Sequence, residues 1–148
     1  LILGADHRLW SVGKNDFGQL GNGTRISSSD PIYIMDNIVD IDAGATHSMA
    51  LDTEGVLWGF GDIYLEEMPP GSDYGIIAPF ALLRDVATFS AGYGFSLAVT
   101  NDGSLWVLGD NRGGQLGLES PEFVRRFIRV DLHLPELTAD STFSVEPD

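Results

Sequence analysis

Cysteine is absent from this chain. That one absence removes disulfides, thiolate metal sites and cysteine nucleophiles together. Basic residues are scarce as well: 8 Lys and Arg stand against 22 Asp and Glu, for a formal charge of −14. Nucleic-acid affinity rests on cations that neutralise phosphates, and an anionic bilayer surface makes the same demand. Neither partner is expected for so acidic a chain. The one basic cluster, Arg125, Arg126 and Arg129, is too small to reverse the overall field, and a basic protein partner would be steered toward the rest. Long apolar runs are missing too. The longest, over 76–83, is short and interrupted by Pro79, well below the roughly 18 residues that span a bilayer. The chain opens on Leu1 rather than Met, and the expectation is of a segment upstream.

What is present is repetition. The only three tryptophans, Trp10, Trp58 and Trp106, stand 48 residues apart. Leu9, Leu57 and Leu105 precede them, and Gly13, Gly61 and Gly109 follow, so Leu-Trp-x-x-Gly occurs three times in one register. Turn signals stand ahead of each: Asp6 and His7, Glu54 and Gly55, Asp102 and Gly103. A second block, Ala43-Gly44-x-x-His47-Ser48-x-Ala50, returns as Ala91-Gly92-x-x-Phe95-Ser96-x-Ala98, and Pro31 returns as Pro79. A third, Gly18-Gln19-Leu20-Gly21, skips one period and returns as Gly114-Gln115-Leu116-Gly117. A fixed period of this kind marks a repeat architecture, with copies of about 1–48, 49–96 and 97–144. Near the end Ala139, Ser144 and Val145 keep the register while Asp140 and Pro147 break it; either the last copy decays or the chain is cut there.

Strand signals inside one period are short and separated by turns. Residues 38–43 alternate over their second half, as a half-buried strand does. Residues 48–51 form a small-residue run suited to a crowded inner strand, and 56–60 are rich in strand formers. Residues 31–34 supply a fourth strand with proline at its first position, where the missing N–H is harmless. No stretch has a helical period; residues 121–127 could form one turn at most. Four short strands per period are the arithmetic of a β-propeller blade, so the fold class is all-β.

These motifs resemble the regulator of chromosome condensation repeat family, whose pattern joins a Gly-x-Leu-x-x-Trp/Phe-Gly strand, Asn-x-x-Gly-Gln-Leu-Gly and Ala-Gly-x-x-His-Ser-x-Ala-Leu. The first copy carries it from Arg8 through Asn15 to Gly21 and again from Ala43 to Leu51; the third carries it from Gly103 through Asn111 to Gly117. The resemblance covers essentially the whole chain. It implies a propeller of roughly seven four-stranded blades, of which this chain would supply about three. A three-blade arc leaves strand edges bare, so further blades or other chains are expected to close the ring. Phe95 replaces the family's histidine, and the second copy reads Ile63-Tyr64-Leu65-Glu66-Glu67-Met68-Pro69-Pro70 where the Asn-to-Gly block should be.

Several motifs invite sharper readings. Gly-Gln-Leu-Gly lacks the Gly-Lys-Ser/Thr ending of a nucleotide loop and reads as a structural turn whose Gln19 and Gln115 bond backbone between blades. His47 and Ser48 are neighbours on a strand and point to opposite faces; with Phe95 as its counterpart, His47 reads as a packing residue. His7 and His133 are isolated, and no acidic stretch has calcium-loop spacing. No cofactor, metal or catalytic residue is expected. The tryptophans read as packing between blades, and Asn22-Gly23-Thr24 is a glycosylation sequon only in a secretory setting. One segment stands out as a partner-binding loop: 62–74, which has shed the structural consensus and gathers Asp62, Tyr64, Glu66, Glu67, Met68, Asp73 and Tyr74. Loops freed from a structural role can carry specificity, and Tyr and Met suit interface cores. The expected function is a non-catalytic protein–protein interaction scaffold, with guanine-nucleotide exchange on a small GTPase as the alternative that a complete propeller would allow.

Overall fold

A computed structural model describes residues 1–63, 65–66 and 75–131. Among them there is no helix; eleven strands form three antiparallel sheets. The first sheet has three strands, β1 (Ile2–Leu3), β2 (Leu9–Gly13) and β3 (Ser28–Met35), in chain order. The second has four: β4 (Ile38–Ala43), β5 (His47–Asp52), β6 (Leu57–Gly61) and β7 (Ile76–Leu83). The third repeats it with β8 (Val86–Ala91), β9 (Phe95–Thr100), β10 (Leu105–Asp110) and β11 (Phe123–Val130). Residues 121–127 therefore do not make a helical turn. Most of them belong to an outer strand, because Val107 pairs with Ile128 and Gly109 with Val124, and the ladder partner overrides a weak local preference.

The tight turns obey the period. Gly55 and Gly103 adopt positive φ, and His7 holds the same conformation at φ 62° one period earlier. Asn37 and Asp85, also 48 apart, take positive φ at the two points where one sheet hands over to the next; Asn and Asp tolerate this region better than other side-chain-bearing residues. The handover is fastened identically both times. Ile38 N–H donates to the His7 carbonyl and Thr53 N–H to that of Asn37; Val86 N–H donates to Gly55 and Asn101 N–H to Asp85. Pro31 and Pro79 are not at strand starts. They lie within β3 and β7 where the register shifts, so each proline sits in a bulge and removes no ladder bond.

The core lies between sheets. Leu9, Ile38, Ala50, Phe60, Ile76 and Leu108 form one buried cluster that draws on all three sheets. Met49, Leu51 and Leu57 meet Val86 and Ala98 in another. The middle sheet is consequently packed on both faces, and β5 is buried at every one of its six positions. Its counterpart β9 alternates, with Ser96, Ala98 and Thr100 buried and Phe95, Leu97 and Val99 only half-buried. The difference is that, among the described residues, β9 has a neighbouring sheet on one side alone.

Candidate functional site

Equivalent loops follow β2, β6 and β10. In the first sheet a buried asparagine organises the loop. Asn15 Oδ1 accepts from Leu20 N–H at 2.9 Å, while its amide donates to the carbonyls of Thr24 and Ile26 at 3.0 and 3.1 Å and to Asn22 Oδ1. Asn111 does the same in the third sheet, accepting from Leu116 N–H and donating to the carbonyls of Leu118 and Pro121. The glutamines act locally, contrary to the expectation that they bridge blades. Gln19 Oε1 accepts from Phe17 N–H and Gln115 Oε1 from Gly113 N–H, each two residues away. Their short reach within a tight turn makes the local amide the nearer donor. Between the first two sheets it is the Gln19 carbonyl, not its side chain, that bridges: Ser48 Oγ donates to it at 2.9 Å, and Gly23 N–H donates to the carbonyl of Ile77.

The middle sheet lacks this organiser. Ile63 stands in the asparagine's place and turns into the apolar core, so this position has no amide to offer the loop after β6. Of the residues singled out for partner binding, the described ones behave in two ways. Asp62 is structural at its backbone: its N–H donates to the Thr46 carbonyl at 2.9 Å, as Asp110 N–H does to Gly94 one period later. Its Oδ2 accepts from Thr46 Oγ1 at 3.2 Å. Glu66 is exposed and reaches the neighbouring sheet. Its N–H donates to the Arg125 carbonyl at 2.9 Å, and its carboxylate lies 3.8 Å from the Arg126 guanidinium. Tyr64, Glu67, Met68, Asp73 and Tyr74 lie outside the described residues.

Next to Asp62 the structure assembles a group that strand alternation alone could not reveal. His47 Nε2 lies 3.0 Å from the hydroxyl of Ser96, its neighbour across the sheets, and not beside Ser48. Burial depresses the imidazole's pKa, with the Asp62 and Asp42 carboxylates pulling the other way. A histidine, a serine and a carboxylate thus converge on a small, partly open cavity of about 20 Å³, about the space of one water molecule. Ser96 and His47 are each 3% exposed. The arrangement ties two sheets together, and His47 is the packing residue its phenylalanine counterpart suggests. The other histidine described, His7, holds the Ile38 carbonyl through Nδ1 at 3.0 Å.

The tryptophans also serve the sheets. Trp58 Nε1 donates to Asp52 Oδ2 at 2.8 Å, and Trp106 Nε1 to Thr100 Oγ1 one period later. Trp106 packs against the cluster shared by the second and third sheets, as expected of a residue between blades. Trp10 meets Tyr33 edge-on with centroids 5.5 Å apart, within its own sheet. Open grooves lie near the sheet ends, and one of about 340 Å³ runs between β7 and β11 beside Glu66.

The regulator of chromosome condensation (RCC1) repeat matches residues 6–51, and a second description of the same repeat matches 86–115. The chain belongs to this repeat family. The RCC1-repeat chain is 35% identical over 72 residues to a protein RCC2 homolog of Danio rerio, which is 46% of this chain and 14% of that protein. Its fold is similar to that of Prp20p from Saccharomyces cerevisiae, studied for its binding to Gsp1p and histones. There the TM-score is 0.75 at 24% identity, covering 88% of this chain and 36% of Prp20p. The same yeast RCC1 (Prp20) bound to Kap60 matches with a TM-score of 0.70 at 25% identity, over 88% and 34% of the two chains. Human WBSCR16 matches with a TM-score of 0.64 at 20% identity, over 73% and 30%. The chain therefore spans about a third of these solved relatives. Together the repeats, the three sheets and these relatives define an all-β, RCC1-type propeller fold.

Proposed function

We propose that this chain is a non-catalytic protein–protein interaction scaffold, a continuous run of propeller over 1–148 in copies of about 1–48, 49–96 and 97–144. Its partner would engage the loop of the middle copy through Asp62, Tyr64, Glu66, Glu67, Met68, Asp73 and Tyr74. The observation that carries the reading is the exchange of asparagine for Ile63. Two of three equivalent loops are knotted by a buried amide; the middle copy has Ile63 in the amide's place, packed into the apolar core, and its sequence carries Tyr and Met, residues enriched at interface cores. The charge of −14 favours a basic partner by steering, and Prp20p, a relative in fold, binds histones. Missing blades or other chains would complete the ring around this arc.

The test is titration of the purified chain with histones, followed by calorimetry, beside a triple variant Y64A/M68A/Y74A checked for retained β signal by circular dichroism. The expected result is binding that weakens at least about tenfold in the variant, the scale of an interface hot spot. Equal affinity for both proteins would remove the loop from the interface. Guanine-nucleotide exchange on a small GTPase is the alternative, motivated by the family and by Prp20p's binding to Gsp1p. Accelerated release of a fluorescent guanine nucleotide from the GTPase would favour it over a passive scaffold.

A further inference from the structure

The chain's only basic cluster lies on one edge strand. Arg125, Arg126 and Arg129 all lie on β11 and are all exposed. They are three of the eight cations in a protein with 22 acids. β11 is the outer edge of its sheet and β7 the outer edge of the sheet beside it. The groove of about 340 Å³ between them has Phe80, Leu82 and Phe127 among its lining and Arg125 and Arg126 at its rim. Phe80 is exposed. Arg125 lies 5.9 Å over the Phe123 ring, a contact that leaves its guanidinium edge available, and no ion pair of Arg125 is found among the described residues. An edge strand with unpaired backbone groups is a template for another extended chain, and arginines on it discourage indiscriminate pairing.

The chain itself already shows what this edge accepts. Glu66 donates its backbone N–H to the Arg125 carbonyl and sets its carboxylate 3.8 Å from Arg126. One acidic residue is thus held by both backbone and charge. From this we infer that the β7–β11 groove is a docking site for an extended acidic segment of a partner protein, one that alternates acidic with large apolar side chains. Alternation follows from strand geometry, since successive side chains point to opposite sides. The apolar set would cover Phe80, Leu82 and Phe127, while main-chain bonds run along β11 and the carboxylates meet the two arginines, whose planar forks suit them. This site shares only Glu66 with the proposed loop interface and selects ligands of opposite charge, so the two readings can fail separately.

A capped seven-residue peptide alternating glutamate with leucine tests it, against a lysine–leucine peptide of the same length, by fluorescence polarisation on the full chain at near-physiological salt, where the distant acidic surface is screened beyond about 8 Å. The glutamate peptide should bind at least about tenfold more tightly than the lysine peptide, weaken as salt rises, and lose at least about tenfold in R125E/R126E. R125K/R126K should keep part of the affinity, showing that charge and not a folding defect is at issue, and F80A should weaken binding without changing the salt dependence. Y64A/M68A/Y74A should leave the glutamate peptide's affinity unchanged. No binding of that peptide, equal or tighter binding of the lysine peptide, or indifference to R125E/R126E would overturn the inference.

Discussion

His47 illustrates how a single position changes meaning between copies. As an imidazole it links β5 to β9 through Ser96, while Nδ1 is buried without a hydrogen-bond partner among the described residues. The phenylalanine of the next copy fills the corresponding place without that burden. Because burial lowers the folded pKa from the ordinary 6.5, the unfolded chain takes up its proton first as the solution is acidified. This histidine's contribution is therefore intact above about 6.5 and is lost as pH falls through that value toward the lower folded one. Replacing it in H47F should narrow the stability gap to wild type, or reverse it, as pH drops from about 7 to about 5, measured by urea midpoints. A gap that stays constant across that range would show that His47 does not titrate with unfolding. The pattern of alternation told that His47 and Ser48 diverge; which serine His47 would meet required the sheet beside it.

At the scale of the element, the glycine near the end of β2, β6 and β10 shows how packing sets the cost of one substitution. Gly13, Gly61 and Gly109 share the motif and a positive φ near 100°. A Cβ at Gly61 would lie 2.5 Å from the Thr46 carbonyl oxygen and 2.8 Å from the His47 Cα, whereas one at Gly13 would meet nothing within 4 Å. G13A should cost about 1–2 kcal/mol for backbone strain alone. G61A should cost roughly 1–3 kcal/mol more, since backbone must shift to relieve the overlap. Chemical denaturation of the two variants checks this; equal losses would mean that the strand end yields freely. The strands themselves were readable in advance because alternation, β-branched residues and turn glycines agree. β11 was not, because Arg125, Arg126 and Arg129 interrupt its apolar pattern and its partner β10 supplies what local preference does not.

For the whole molecule, position in the arc should govern stability. Leu57 is fully buried between the second and third sheets, and Leu97 is only half-buried on the third sheet's outward face. L57A should cost about 2–5 kcal/mol. L97A should cost less than half as much. Urea midpoints of both variants decide it, and comparable losses would show that Leu97 is covered in solution by something beyond the described residues.

The 48-residue period, the all-β class and the odd loop of the middle copy were determined by the sequence alone, because turn glycines and strand patterns are local and recur in register. Tertiary structure decided what that loop and its neighbours face. Ser96 comes to His47 across 49 positions, Glu66 to β11 across about 60, and β7 lies beside β11. Such meetings follow from one sheet stacking on the next, and a repeat pattern specifies each sheet's interior more directly than the chemistry created where two sheets meet.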